Sequence, residues 1–472
     1  MAIQLPNLAR SMSEARAFPR LVIAGTSGSS GKTMVSLGLV QLFWRGGIDV
    51  RAFKKGPDYI DAAWLTWASS HAARNLDTYL MGPDRVVDSF VRQATADGVN
   101  LIEGNRGLFD GFDAAGTHST AVLARCLSAP VILVVNAQKV TRTAAALVLG
   151  CQKLDPAVAI RGVILNNVSG ERHRDVIRAA IEAECSVPVL GSLPHVKTGL
   201  LPERHMGLVP PQEHSMRDGL CQDLLKLVDG RLDVEAVLSI ARTAPPLPYP
   251  LESYASPASP SIVRIGYLKD AAFSFYYPEN LEQLERAGAE LIPISPLSAT
   301  VLPPNLHALY IGGGFPETHA RALSENVSFL RSLQQAAGCG LPIYAECGGL
   351  ILLASGLLWQ GSRYPMAKIF PFEIEVCETP QGHGYSTLRV DTPNPCFATG
   401  VILYGHEFHY SRILPGPEAV RTACAVDRGT GCFEKREFVM TNNVVATYTH
   451  LHAIASPEWA TGMIQAASRF AS

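Results

Sequence analysis

Cys347 stands in the run Leu341-Pro342-Ile343-Tyr344-Ala345-Glu346-Cys347-Gly348-Gly349-Leu350, where a short apolar strand meets a sharp turn flanked by small residues. A cysteine on such a turn has the shape of a nucleophile elbow. The thiol is lifted off the sheet edge, and the following backbone N–H groups, Gly348 first, are placed to hold an oxyanion. A thiol nucleophile needs a base. The best-placed one is His450, in Val444-Val445-Ala446-Thr447-Tyr448-Thr449-His450-Leu451-His452, after another apolar strand. His450 and His452 are two residues apart and face the same way if the segment is extended. Gly312-Gly313-Gly314-Phe315-Pro316-Glu317 follows the strand Ala308–Ile311, and Gly313 is a second oxyanion candidate because glycine permits close backbone approach. Gly405-His406-Glu407-Phe408-His409-Tyr410 reads as a polar-aromatic loop that either lines a site or caps the sheet.

The other end of the chain carries phosphate chemistry. Gly25-Thr26-Ser27-Gly28-Ser29-Ser30-Gly31-Lys32-Thr33 follows the strand Leu21–Ala24 and precedes a helix over Met34–Arg45, the context a P-loop requires. Gly28 and Gly31 let backbone N–H groups turn inward around phosphates, and the helix N-terminus adds its dipole. Lys32 would reach the β- and γ-phosphates of ATP, and the Thr33 hydroxyl would hold Mg²⁺. The strict pattern has glycine at position 26; Thr26 stands there, with Gly25 one place early. Asp58 and Asp61 lie beyond a strand end, Glu103 follows the apolar run Val99–Ile102, and Asp110 sits in Gly107-Leu108-Phe109-Asp110-Gly111. Mg²⁺ takes a few hard oxygens plus phosphate and water. Thr33, Asp58 and Glu103 supply them, with Asp110 a further candidate. Any one Asp is as often a turn or cap residue. Their grouping beyond successive strands points to a ligand site at the carboxyl ends of a parallel sheet.

The elements that must position these groups are alternating β-branched runs and helical stretches, which argue for βαβ units and an α/β fold with a mainly parallel sheet. At 472 residues the chain exceeds one ordinary core. A proline-rich stretch, 245–261, forbids helix and reads as a linker between an N-terminal domain, 1–244, and a second α/β domain, 262–472. With 47% hydrophobic and 17% charged residues, disorder is excluded, and a net charge of −2 offers no electrostatic case for nucleic acid or an anionic membrane. The cysteines are scattered without a C-x-x-C pair, which argues against zinc and a disulfide framework. Apolar runs are strand-length and no signal-peptide core is evident, so a cytoplasmic location is expected. A homodimer is the default oligomer.

These motifs together resemble the cobyrinate a,c-diamide synthase family of glutamine-dependent tetrapyrrole amidotransferases, from about Arg20 to the C-terminus. The matching runs include the Gly-Thr-Ser…Gly-Lys-Thr loop, Lys55-Gly56-Pro57-Asp58-Tyr59-Ile60-Asp61, Arg74-Asn75-Leu76-Asp77, Pro202-Glu203-Arg204-His205-Met206-Gly207-Leu208 and Lys269 to Asn280. The resemblance implies a dethiobiotin-synthetase-like P-loop domain joined to a class I glutamine amidotransferase-like domain. It further implies ATP and Mg²⁺ as cofactors, L-glutamine as nitrogen donor and a tetrapyrrole as acceptor. Cys347 would attack glutamine with help from His450; ammonia would then displace phosphate from an acyl phosphate of the acceptor. Asp58, Asp61, Glu103 and Asp110 fall at metal- or substrate-side positions, Asp61 and Asp110 toward the substrate, and Asn166 on the adenine side. Class I triads end with a glutamate two residues after the histidine; His452 occupies that place, so the third member is unassigned. The family commonly continues Asp-Tyr-Ile-Asp-Pro and then a His, whereas this chain reads Asp61-Ala62-Ala63-Trp64-Leu65. That segment is expected to border the acceptor, and its bulk leaves hydrogenobyrinate, nickel-sirohydrochlorin and sirohaem open as alternatives. A P-loop regulatory ATPase with an inactive binding domain is the reading from another class. Such ATPases often carry an extra lysine early in the loop, where this chain has Thr26-Ser27-Gly28.

Overall fold

The computed structural model describes residues 13–196, 203–204, 207–213, 217–250, 263–414, 416 and 420–472. The chain divides into two compact units, Met1–Ser253 and Tyr254–Ser472.

The first unit is built on a seven-stranded sheet. Its strands are β1 (Arg20–Gly25), β2 (Val50–Lys55), β3 (Arg74–Leu76), β4 (Val99–Gly107), β5 (Val131–Asn136), β6 (Ile160–Val168) and β7 (Val189–Pro194). They run in the order β3-β2-β4-β1-β5-β6-β7, and every pairing is parallel. Helices cover both faces of such a sheet, which is why β1 and β5 are near-continuous apolar runs. All carboxyl ends lie on one edge. There β1 turns into helix α1 (Lys32–Arg45), and β2 turns into helix α2 (Tyr59–Ser69).

The proline-rich segment is not free along its whole length. Arg20, fully buried, donates to the carbonyls of Phe18, Leu127, Ser128 and Pro245, and Leu247–Pro250 pairs antiparallel with Ser13–Arg16. A two-stranded ribbon tolerates prolines that a central strand would not. Residues 251–261 of that segment lie outside the described residues, as do Pro202, His205 and Met206 of the Glu-Arg-His motif.

The second unit has a ten-stranded mixed sheet. Its strands are β8 (Val263–Leu268), β9 (Ala289–Ile294), β10 (Ala308–Ile311), β11 (Ile343–Glu346), β12 (Gly382–Val390), β13 (Ile402–His409), β14 (Arg421–Arg428), β15 (Arg436–Thr441), β16 (Val444–Thr447) and β17 (His450–Leu451). The order is β9-β8-β10-β11-β16-β15-β14-β12-β13-β17; the first five are mutually parallel and the rest antiparallel. Two apolar clusters cover its faces, one around Phe329, Leu333 and Leu350, the other around Leu284, Tyr344 and Trp459. The run Gly405–His409 is strand, not loop. It pairs with β12 along its length, and both His406 and Glu407 are buried within it.

Among the described residues no helix is long and apolar enough to cross a membrane. All ten cysteines are free thiols.

Candidate functional site

In the first unit the phosphate loop is shaped by three close approaches. A Cβ on Gly25 would lie 2.2 Å from Ser30 Oγ and 2.8 Å from the Ser27 carbonyl, so the glycine is needed at 25 and Thr26 is free to extend the sheet through its amide to Val134. Gly31 caps α1 in the left-handed region, at φ 94°, with Asn166 packed against it. The Asn166 amide donates to the Ser30 carbonyl over 3.0 Å. Asn166 is thus buried beneath the loop, where it fixes the loop's curvature. Gly28 sits at the exposed crown with open space around it. The Lys32 ammonium leans on the Ser27 carbonyl at 3.3 Å; burial and then Lys54 lower its pKa, and an anion bound in the loop would offset both.

Beneath the loop lies a charge cluster. Thr33 Oγ1 donates to Glu103 Oε1 over 2.7 Å. Lys54, at the end of β2 and almost fully buried, reaches Asp61 Oδ2 at 2.5 Å and Glu103 Oε1 at 2.9 Å. Burial works against the lysine's charge, but Asp61 and Glu103 more than offset it and raise its pKa. Asp58 caps α2, its Oδ1 accepting from the Asp61 amide at 2.9 Å. Burial, and next the Asp61 carboxylate, push the Asp58 carboxyl up to about 7. Burial likewise raises Glu103, with Lys54 opposing. Asp110 accepts from the Gly107 amide at 2.8 Å and shapes the turn after β4; it is exposed and close enough to support the Lys32 charge.

The residues present fit a nucleotide-bound Mg²⁺. Glu103 Oε2 is a buried oxygen without a hydrogen-bond partner, and the Thr33 hydroxyl gives its proton to Glu103, leaving its lone pairs for a cation. Among the described residues no cluster of three or more His, Cys, Asp or Glu forms a cage. Lys54 went unassigned at the level of sequence; its signal is a pair of lysines ending the strand Val50–Lys55.

The segment Asp61–Leu65 is not a loop at the site. It is part of α2, and Trp64 and Leu65 are wholly buried, with Trp64 Nε1 donating to the Val209 carbonyl over 3.0 Å. The bulk that distinguishes this segment therefore packs the core, because helical spacing turns positions 60, 64 and 65 inward.

In the second unit Cys347 is the elbow expected: φ 48° and ψ −97°, between β11 and helix α3 (Gly348–Leu353). Its amide donates to the Thr447 carbonyl over 2.7 Å, which ties the elbow to the end of β16. Three residues on, β17 presents His450. The intervening turn is held by buried Glu437, whose Oε1 accepts from the amides of Tyr448 and Thr449 and from the Thr449 hydroxyl, each at 3.2 Å. A Cβ on Gly313 would lie 2.6 Å from His450 Cε1 and 3.4 Å from Nε2, and one on Gly348 would lie 3.0 Å from the Gly314 amide nitrogen. The elbow, the glycine run and the Nε2 edge of His450 thus converge. Burial, followed by Glu317 and Glu346, pushes the Cys347 thiol well above its ordinary value, so the resting sulfur is protonated.

His450 Nδ1 lies 3.2 Å from Glu346 Oε2. His452, two residues on, points elsewhere: its ring lies 4.5 Å from that of Tyr277, and its Nε2 lies 3.6 Å from Glu279 Oε2. Opposite His450 in the β13–β17 register is His406, whose ring stacks on it at 5.0 Å. Burial and the neighbouring His450, His452 and His383 hold His406 well below the usual imidazole range.

Residues 264–458 match the CobB/CobQ-like glutamine amidotransferase domain, and residues 21–209 match the CobQ/CobB/MinD/ParA nucleotide binding domain. The chain is 41% identical to a cobyrinate a,c-diamide synthase of Magnetococcus marinus, over 94% of this chain and 96% of the relative. It is 38% identical to one of Archaeoglobus fulgidus, over 96% and 98%, and 36% identical to one of Salmonella typhimurium, over 95% and 98%. The chain belongs to the cobyrinate a,c-diamide synthase family. Membership makes it a glutamine-dependent amidotransferase with a nucleotide-binding domain, in line with the thiol elbow and the phosphate loop found in its two units.

Proposed function

We propose that the protein amidates acetate side-chain carboxylates of a tetrapyrrole, of the cobyrinate a,c-diamide type, at the expense of ATP and glutamine. The observation that carries this reading is the presence in one chain of a thiol elbow with its histidine and a phosphate loop backed by Glu103. The names of near-full-length relatives support the acceptor class.

The Cys347 sulfur attacks the glutamine side-chain carbonyl as His450 takes the thiol proton. The Gly348 and Gly313 amides stabilise the oxyanion, and His450 returns the proton to the departing ammonia. Water then cleaves the thioester to glutamate. In the nucleotide-binding unit an acceptor carboxylate oxygen attacks the γ-phosphorus of ATP and ADP leaves. Ammonia then attacks the acyl carbon and phosphate departs. Lys32 and the loop amides orient the phosphates. Thr33, Asp58 and Glu103 would hold Mg²⁺, which neutralises charge on the transferring group. Asp61, locked to Lys54, keeps that lysine charged beside the site.

The test is synthesis from glutamine against synthesis from ammonia, with cobyrinate, hydrogenobyrinate, nickel-sirohydrochlorin and sirohaem as acceptors and product mass read in steps of one amide. Cys347→Ala abolishes the glutamine reaction and keeps the ammonia reaction. Steady ATP turnover without glutamine hydrolysis, whichever acceptor is present, refutes the proposal.

A further inference from the structure

Position 452 cannot orient His450. Its own ring is turned toward Tyr277 and Glu279, and its Nδ1 accepts from the Ile454 amide at 3.2 Å. A base histidine without an orienting acceptor has no fixed tautomer. One carboxylate meets the requirement from an unexpected direction: that of Glu346, the residue immediately before the nucleophile.

We infer that Glu346 is the positioning residue of this Cys–His site, taking the part that a glutamate two residues after the histidine plays elsewhere. The inference rests on the reading of Cys347 and His450 as a glutaminase pair. Glu346 is fully buried at the end of β11, and 104 residues separate it from His450. Parallel pairing of β11 with β16 places Glu346 opposite Thr447, which brings the last turn before His450 alongside it. Its Oε2 lies 3.2 Å from His450 Nδ1 and 3.3 Å from the Tyr310 hydroxyl. Its Oε1 accepts from the Tyr344 hydroxyl at 3.1 Å and the Leu451 amide at 3.2 Å. Each oxygen therefore meets two partners, and at Oε2 an ionised carboxylate requires the second of them, His450 Nδ1, to carry the proton. Tyr310 and Tyr344 stay protonated, since burial and Glu346 itself raise both phenols far above their ordinary value. With the proton on Nδ1, Nε2 is left as the acceptor, and Nε2 is on the ring edge facing Gly313 and the elbow. The same carboxylate fixes the Leu451 amide, so it holds both the ring and the backbone that carries it.

The decisive experiment is Glu346→Gln in the full chain, with glutaminase kcat and KM followed across pH. A glutamine amide can face Nδ1 with its NH₂ and impose the wrong tautomer. The kcat should then fall by about 10²–10⁴, as when a triad acid becomes its amide, with KM for glutamine little changed. Because the thiol does not ionise without its base, the deficit should persist across the accessible pH range with KM held; a packing defect would raise KM as well. A folded Glu346→Gln enzyme with wild-type kcat and pH profile overturns the inference. Should that variant fail to fold, nitrogen-15 histidine spectra of the wild-type chain decide: His450 protonated at Nδ1 supports the assignment, and protonation at Nε2 in the neutral ring overturns it. Glutaminase activity surviving Cys347→Ala would instead refute the underlying reaction, whatever Glu346→Gln does.

Discussion

Gly313→Ala adds one methyl group at the point where the elbow, the glycine run and His450 meet. The backbone accepts it, since Gly313 does not adopt a positive φ. Space does not. The new Cβ would sit 2.6 Å from His450 Cε1 and 3.3 Å from Phe275 Cβ. Carbon atoms in contact lie about 3.5–4.0 Å apart, so the imidazole must give way by about 1 Å. The ring has little room to do so. Its Nδ1 is held at Glu346, its side chain is buried, and His406 stacks on it. A displacement of about 1 Å from the productive geometry is worth up to ~10²-fold in rate, or about 2.7 kcal/mol in the barrier. Glutaminase kcat should fall by that order, while synthesis driven by added ammonia, which bypasses the thiol, stays near wild type. Because the Gly313 amide is retained, the loss reports the ring and not a missing oxyanion donor. A folded variant whose kcat stays within about twofold of wild type would refute the convergence of Gly313 and His450 in the working enzyme.

Three other outcomes follow from the first unit. Glu103→Gln should abolish synthesis from either nitrogen source and leave glutamine hydrolysis at Cys347 intact, measured as glutamate release without acceptor; persisting synthesis would unseat Glu103 from the phosphoryl step. With the Asp58 carboxyl titrating at about 7 and a cation binding only its charged form, magnesium-dependent ATP affinity should weaken about tenfold per pH unit below that point and level off above it. Asp58→Asn should bind more weakly above that point and converge on the wild type below it, with the slope removed, as read by calorimetry; an unchanged slope rules Asp58 out. Trp64→Ala should destabilise the first unit by about 3–5 kcal/mol, because it empties a core site and leaves the Val209 carbonyl without its indole partner. Denaturant melts check this, and a loss of acceptor affinity with undiminished stability would return Trp64 to the substrate.

What was legible in the chain follows from where its constraints lie. The phosphate loop and the elbow need particular small residues within about ten positions of each other, so both can be read directly, down to the shift of a loop glycine to position 25. The Ser30 hydroxyl at that spot explains the shift. The parallel strands are equally plain, being buried on both faces. Contacts made across strands are not written locally. Lys54 earns its charge from Asp61 and Glu103, which reach it from α2 and β4. Glu437 shapes the turn before His450 from the neighbouring strand β15. Gly405–His409 looks like a loop because its polar residues are read as exposed, yet within β13 they are buried partners of β17 and of the strand turns beside it. Trp64 misleads in the opposite sense, since a bulky residue near a predicted site suggests a lining while helical phase sends it inward.

The position of Glu346 also bears on how the thiol is kept in check. A carboxylate one residue from the nucleophile orients the base and at the same time opposes formation of the thiolate; burial and Glu317 oppose it further. In a cysteine enzyme primed by an ion pair the sulfur is charged before substrate arrives. In this site burial and Glu317 each outweigh the helix-start amide of Gly348, which lowers the pKa of the resting sulfur, and Glu346 and Glu437 add to them. Proton transfer to His450 is therefore uphill until something compensates the charge, and what can do so is the ligand itself, through its ammonium group and through the oxyanion that forms against Gly348 and Gly313. The arrangement that makes His450 a competent base thus also keeps Cys347 a poor nucleophile toward anything other than a bound amide, and a site that must split glutamine only on demand gains from a thiol that stays neutral until glutamine is in place.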